Sequence, residues 1–154
     1  MSSTYLSLHY HLVFGTKNRI PSIDIPCRST YHGVHVFMNI WGRTVRGLGG
    51  FPEGIGGTAD HVHLMVALKS NHCLADVMRE LKKASSAWIH ERIGQRSFAW
   101  QEGYAAFTVS ATVRDAVRKY ISNQEEHHRL KSFREEFVEL LEKAGVEYDP
   151  RYLD

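Results

Sequence analysis

The chain has only two cysteines, Cys27 and Cys73, in 154 residues. They sit in otherwise helical patterns without metal-ligand spacing, so neither a disulfide framework nor a thiolate metal site is expected, and both read as buried or half-buried free thiols. No apolar run approaches the ~20 residues of a membrane span, and Met1-Ser2-Ser3-Thr4 lacks the order of charged then apolar residues that marks an export signal. A cytoplasmic protein without a membrane partner is expected. The glycine-heavy stretch from Phe51 to Thr58 lacks the following Lys-Ser/Thr and the strand-to-helix order of a phosphate cradle, which argues against a bound nucleotide cofactor. Internal repeats, linkers and low-complexity segments are also missing. Residues 1–154 therefore read as one domain.

The composition that remains, 43% hydrophobic and 23% charged, is that of an ordinary globular chain with enough residues for a core. The net charge of +2 hides an asymmetry: residues 1–131 carry 16 Lys and Arg against 10 Asp and Glu, whereas residues 132–154 carry 3 against 7. A body at +6 with a tail at −4 permits a phosphate-bearing partner without requiring one. The ten histidines are the most unusual feature.

Hydrophobic periodicity orders the elements. Tyr5 to Phe14 alternates as a strand, with Leu6, Leu8, Tyr10, Leu12 and Phe14 on one side and Ser7, His9, His11 and Val13 on the other. From Tyr31, the residues Val34, Met38, Trp41, Val45 and Leu48 mark an amphipathic helix ended by Gly49-Gly50. Phe51 to Thr58 reads as a poor, edge-like strand. In Asp60-His61-Val62-His63-Leu64-Met65-Val66, the two imidazoles share one face roughly 7 Å apart, while Val62, Leu64, Val66 and Leu68 turn into the core. Leu74 to Trp88 is a second amphipathic helix, and Phe98 to Ser110 a turn followed by a fourth strand. A third helix, capped by Ser110 or Thr112, is expected from about Val113 to His128. Ser132 to Ala144 reads as a short acidic helix that packs on the body or on a partner.

This order predicts an α+β, ferredoxin-like fold: a four-stranded antiparallel sheet with two helices on one face and an additional helix carrying Tyr120. The first and the histidine-bearing strands would be central. Their open face, with His9, His11, His61 and His63, would be left to the third helix or to a ligand.

On that third helix, Tyr120 and Gln124 are four residues apart and share a face. If the helix crosses the sheet, His61 and His63 become metal ligands, the Gln124 amide oxygen completes the set, and Tyr120 becomes a nucleophile. A divalent ion polarising a phosphodiester makes a mostly protonated phenol sufficient for attack on phosphorus, and a phosphotyrosine intermediate keeps the bond energy for rejoining. Mixed imidazole and amide ligation with open positions suits Mg2+ or Mn2+. His127 or His128 is the alternative third ligand, and Tyr104 the alternative nucleophile. His9 and His11 are expected beside the ligands or at the surface, and His32, His35, His72 and His90 in structural or exposed places. Lys17, Arg19, Lys82, Lys83, Arg114, Arg118 and Lys119 are candidate contacts to DNA phosphates, with a solvated surface as the competing account.

Five blocks carry a resemblance: His11-Leu12-Val13-Phe14, Asp60-His61-Val62-His63-Leu64, Leu81-Lys82-Lys83-Ala84-Ser85-Ser86, Trp100-Gln101-Glu102-Gly103-Tyr104 and Tyr120 to His128. In these the chain resembles the HUH single-tyrosine transposases of the smallest bacterial insertion sequences and their relatives associated with repetitive extragenic palindromes. The resemblance implies a ferredoxin-like homodimer that uses Mg2+ or Mn2+ to cut and rejoin hairpin-bearing single-stranded DNA. It also implies a bond from Tyr120 to the 5′ phosphate, release of a 3′ hydroxyl, and a tyrosine helix able to serve either subunit. Rival readings are a non-catalytic module binding single-stranded nucleic acid by aromatic stacking and a domesticated, inactive descendant.

Overall fold

The computed structural model describes residues 3–23 and 35–153, with side chains in the first helix described from residue 37. Cys27, His32, Val34 and the expected helix start at Tyr31 lie outside the described residues, as does the side chain of His35, while Cys73 is exposed rather than buried because it precedes the first turn of the second helix. The elements run β1 (His9–Gly15), α1 (His35–Gly47), β2 (Phe51–Gly57), β3 (His61–Ala67), α2 (Leu74–Trp88), β4 (Ala105–Val109), α3 (Arg114–Ser122), α4 (Gln124–His127) and α5 (Phe133–Lys143). The sheet order is β2-β3-β1-β4, with every neighbouring pair antiparallel. This is the expected ferredoxin-like arrangement, with β1 and β3 central and glycine-rich β2 at an edge. No helix among the described residues is long and apolar enough to cross a membrane.

Strand alternation divides the two faces. Leu12 and Phe14 of β1 and Val62, Leu64 and Val66 of β3 form the core with Phe37, Trp41 and Val45 of α1 and Val77, Met78 and Leu81 of α2. Tryptophan is admitted because its polar edge is satisfied: Trp41 Nε1 donates to the Leu81 carbonyl at 3.0 Å and Trp100 Nε1 to Ser85 Oγ at 2.9 Å. On α1 the buried stripe is Phe37, Trp41 and Val45, whereas Met38 and Leu48 are exposed, contrary to expectation. The spacing of four from Phe37 through Trp41 to Val45 outweighs the looser set read from the sequence. Strand β1 also starts later than expected, at His9, and Leu6 is exposed.

The second face is covered. Met65 and Val109 pack with Val117 and Ile121 of α3, and Val13 and Ala105 with Phe133, Phe137 and Leu141 of α5. The expected single helix from Val113 to His128 is interrupted: Asn123, at φ −100° and ψ 21°, separates α3 from the single turn α4. Neither Ser110 nor Thr112 caps α3 through its side chain; a turn of 3-10 helix over Ala111–Val113 leads in instead. The acidic C-terminal helix forms as expected, opened by a reciprocal capping box between Ser132 and Glu135.

Candidate active site and metal centre

The site sits on the α3/α5 face of the central strands. In the ladder His63 is opposite Val13 on one side and Gly56 on the other, and His11 is opposite Met65. Gly56 decides how α3 approaches. A Cβ there would lie 1.8 Å from the Ile121 carbonyl oxygen, so only glycine lets the end of α3 press onto β2 beside His63. The break at Asn123 then drops Gln124 into the interior, where it is 1% exposed. Tyr120 and Gln124 thus reach the histidines of their own chain: the Tyr120 ring stands edge-on to His63 at a centroid distance of 5.9 Å, and Gln124 Oε1 is 3.4 Å from His61 Nε2.

Both histidines are buried and oriented from behind. Asp60 Oδ1 is 2.7 Å and Thr58 Oγ1 2.9 Å from His61 Nδ1, so this nitrogen carries the proton donated to Asp60 and Nε2 presents its lone pair to the site. His63 Nδ1 lies 2.8 Å from His11 Nε2, and the tautomer that donates to His11 leaves His63 Nε2 free as a ligand atom. Burial lowers the pKa of all three imidazoles, to about 3 for His11 and about 4 for His63. They are neutral at pH 7, the form that binds metal.

The structure adds a residue that periodicity did not single out. Glu136 of α5 is 1% exposed, and its oxygens lie 2.8 Å from His63 Nε2, 3.1 Å from His127 Nε2 and 3.2 Å from His128 Nε2. These contacts are short but misaligned, for neither Glu136 oxygen nor His63 Nε2 has a hydrogen-bond partner. Burial would raise the pKa of Glu136, but the nearby histidines, His128 first, outweigh it and hold the carboxylate ionised. His128 shifts the other way. Burial opposes its charging, yet Glu136 and the Lys131 carbonyl, 2.9 Å from Nδ1, raise its pKa. Tyr120 is raised well above the usual phenol range, first by burial and then by Glu136. It lines a cavity of about 250 Å³ with His11, Val117, His127, Glu136 and Leu140.

A cation fits this arrangement. The His61 Nε2 lone pair, Gln124 Oε1 and the Glu136 carboxylate converge here, the last two sharing His128 Nε2 at 3.1 and 3.2 Å, and a cation in that place offsets the cost of burying these acceptors together. Among the described residues, the ligand atoms of His61, His128 and Glu136 lie within 4.8 Å of one another. The donor set is mixed nitrogen and oxygen, with no thiolate.

The remaining candidates are scattered. Tyr104 lies away from the histidines, with Lys82 Nζ 5.7 Å from its ring. Lys82 is turned inward: it donates to the carbonyls of Gln101, Glu102 and Gly103 at 2.8, 3.1 and 2.7 Å, and burial lowers its pKa to about 8. Arg19 lies over the Phe133 ring at 4.0 Å and donates to the Leu153 carbonyl, while Phe133 stacks on His61 at 3.9 Å. Arg114 pairs with the buried Glu53 at 3.0 Å, and Glu53 also meets His9 Nδ1 at 2.7 Å. Arg118 is 3.8 Å from Asp115. Lys17, Lys83 and Lys119 are exposed. His72 and His90 bond the carbonyls of Leu48 and Phe98, as structural histidines do.

Comparison with known proteins converges on one family. The family model described as "Transposase IS200 like" matches residues 4–124. No curated protein matches significantly. Among solved structures, a "putative transposase" from Deinococcus radiodurans is 22% identical, with a TM-score of 0.57 over 80% of this chain and 96% of its own. A REP-associated tyrosine transposase bound to a REP hairpin is 14% identical, with a TM-score of 0.53 over 79% of this chain and 70% of its own. Both likenesses are of fold. With the family model spanning residues 4–124, the chain belongs to the IS200-like transposase family.

Proposed function

We propose that this single-domain chain is a metal-dependent strand transferase that cuts and rejoins hairpin-bearing single-stranded DNA through a covalent bond at Tyr120. One observation carries the reading: within one chain, Tyr120 and Gln124 meet the buried pair His61 and His63, whose outer nitrogens are already bonded to Asp60 and His11. The ligands are His61, His63 and Gln124, and the ion is Mg2+ or Mn2+. When bound, that ion supplies Lewis-acid polarisation of the scissile phosphodiester.

Tyr120 does the bond-making. Its phenolic oxygen attacks phosphorus, the bond to the 3′ oxygen breaks, the released 3′ hydroxyl takes up a proton, and a 5′ phosphotyrosine remains. Attack by another 3′ hydroxyl reverses these steps on a new strand, so no nucleotide is consumed. Because Tyr120 is protonated, its proton leaves as the bond forms, and Glu136, which lines the same cavity and raises the phenol pKa, takes it. The exposed Lys17, Lys83 and Lys119, with Arg118, supply phosphate contacts; Arg19, Lys82 and Arg114 shape the surface through their internal bonds. The structural neighbour bound to a hairpin supports a hairpin substrate, and the family resemblance supports a homodimer.

The stacking-platform alternative finds little support, because the α3 and α5 helices cover the sheet face it would need. The test uses labelled single-stranded hairpin DNA from the flanks of the gene, with Mn2+, resolved on a denaturing protein gel. A covalent adduct is expected with the natural chain and with Tyr104→Phe, and none with Tyr120→Phe or after chelation. An adduct that persists in Tyr120→Phe would overturn the assignment.

A further inference from the structure

Glu136 is out of place in an ordinary amphipathic helix. The buried stripe of α5 is Phe133, Glu136, Phe137 and Leu141, so one carboxylate stands in a row of hydrocarbon side chains, 1% exposed. Burying an ionised carboxylate in that setting costs several kcal/mol unless something compensates it. His63, His127 and His128 stand at 2.8, 3.1 and 3.2 Å, but neither oxygen has an aligned hydrogen bond with any of them, so the compensation is incomplete. The remaining acidic residues of α5, Glu135, Glu139 and Glu142, are half-buried or exposed and carry other bonds: Glu135 caps the helix, Glu139 pairs with Lys131, and Glu142 accepts from Tyr148.

We propose that Glu136 is a fourth protein ligand of the metal ion held by His61, His63 and Gln124, so that the metal fastens the C-terminal helix to the sheet. The inference rests on the metal reading given above and adds a ligand to it. Its Oε1 lies 2.8 Å from His63 Nε2 and 4.0 Å from His61 Nε2, at the point where the two imidazoles converge. His61, His63 and Gln124 are all neutral donors. A carboxylate adds the anionic oxygen that hard divalent cations such as Mg2+ and Mn2+ favour. The helix is seated to deliver it: the capping box fixes its first turn, Phe133 stacks on the His61 ring at 3.9 Å, and Arg19 closes over Phe133 at 4.0 Å.

The experiment is a calorimetric titration of MnCl2 into EDTA-stripped full-length protein, comparing the natural chain with Glu136→Gln, His63→Ala and Glu125→Gln, an exposed charge on neighbouring α4. Glu136→Gln is expected to weaken Mn2+ binding by about tenfold or more, as His63→Ala does, with Glu125→Gln unchanged. Mn2+ bound as tightly or more tightly by Glu136→Gln, while His63→Ala loses it, overturns the proposal and makes Glu136 an occupant of the ion's place. Unweakened binding by His63→Ala and His61→Ala removes the metal reading itself, and the proposal with it. If Glu136→Gln does not fold, hydrogen exchange of the natural chain decides: Mn2+ is expected to protect residues 133–143 more than α1 on the far face, and equal or smaller protection overturns the proposal.

Discussion

At the scale of single residues, the site is a set of neutral bases held in one orientation by partners outside it. Asp60 sets the tautomer of His61, and His11 that of His63. Asp60→Asn removes the charge behind His61 while keeping the shape, and is expected to weaken Mn2+ binding on the order of tenfold; an unchanged isotherm would show that Asp60 does not tune the ligand. The same residues set a pH dependence. His11, His61 and His63 bind protons less readily folded than unfolded, so the unfolded chain takes up more protons below pH 6.5 and stability falls as pH drops from there toward about 4. His128, shifted upward, works oppositely and only above its ordinary value, while Glu136 loses its contribution only below the ordinary carboxylate range. Thermal melts in EDTA should therefore decline from pH 7 to pH 5, by roughly 1–2 kcal/mol per buried histidine. A flat profile would contradict neutral burial.

Four residues of the candidate site are legible because local spacing encodes which of them share a face. Alternation along a strand puts His61 and His63 on one face, and a step of four along a helix does the same for Tyr120 and Gln124. Glu136 was not legible, since one acid among Glu135, Glu139 and Glu142 looks like a solvated face. The usable signal was its place three residues after Phe133 and beside Phe137, on the apolar stripe.

At the scale of elements, the tyrosine helix is the part the sequence described least well. No glycine or proline between Val113 and His128 marks a stop, but the chain bends at Asn123 and brings Gln124 inward onto the sheet. Gly56 is the other half of this fit. Gly56→Ala is expected to lift α3 from β2, destabilising the protein by about 1–3 kcal/mol and reducing cleavage more than single-stranded DNA binding. Urea unfolding gives the first number and the adduct gel the second; an unchanged midpoint would mean that α3 relaxes without cost. The strands and α2 are legible because their periods are written locally, although β1 begins at His9 rather than at Tyr5. Why Trp100 to Tyr104 and Leu81 to Ser86 recur together was not, yet the structure shows each holding the other: Lys82 takes three carbonyls of the loop, and Ser85 accepts from Trp100.

At the scale of the whole molecule, the split of charge acquires a meaning. The acidic helix α5 folds back on the histidine-rich face of the basic body, so sheet, α3–α4 and α5 all converge on one buried centre. In the proposed reaction Tyr120 becomes joined to DNA there. It is tested most directly by digesting the covalent adduct with protease and nuclease and locating the residual nucleotide by mass spectrometry. A 5′-linked nucleotide phosphate is expected on the Tyr120 phenol in the peptide spanning α3. A nucleotide on any other residue, Tyr104 included, would contradict it.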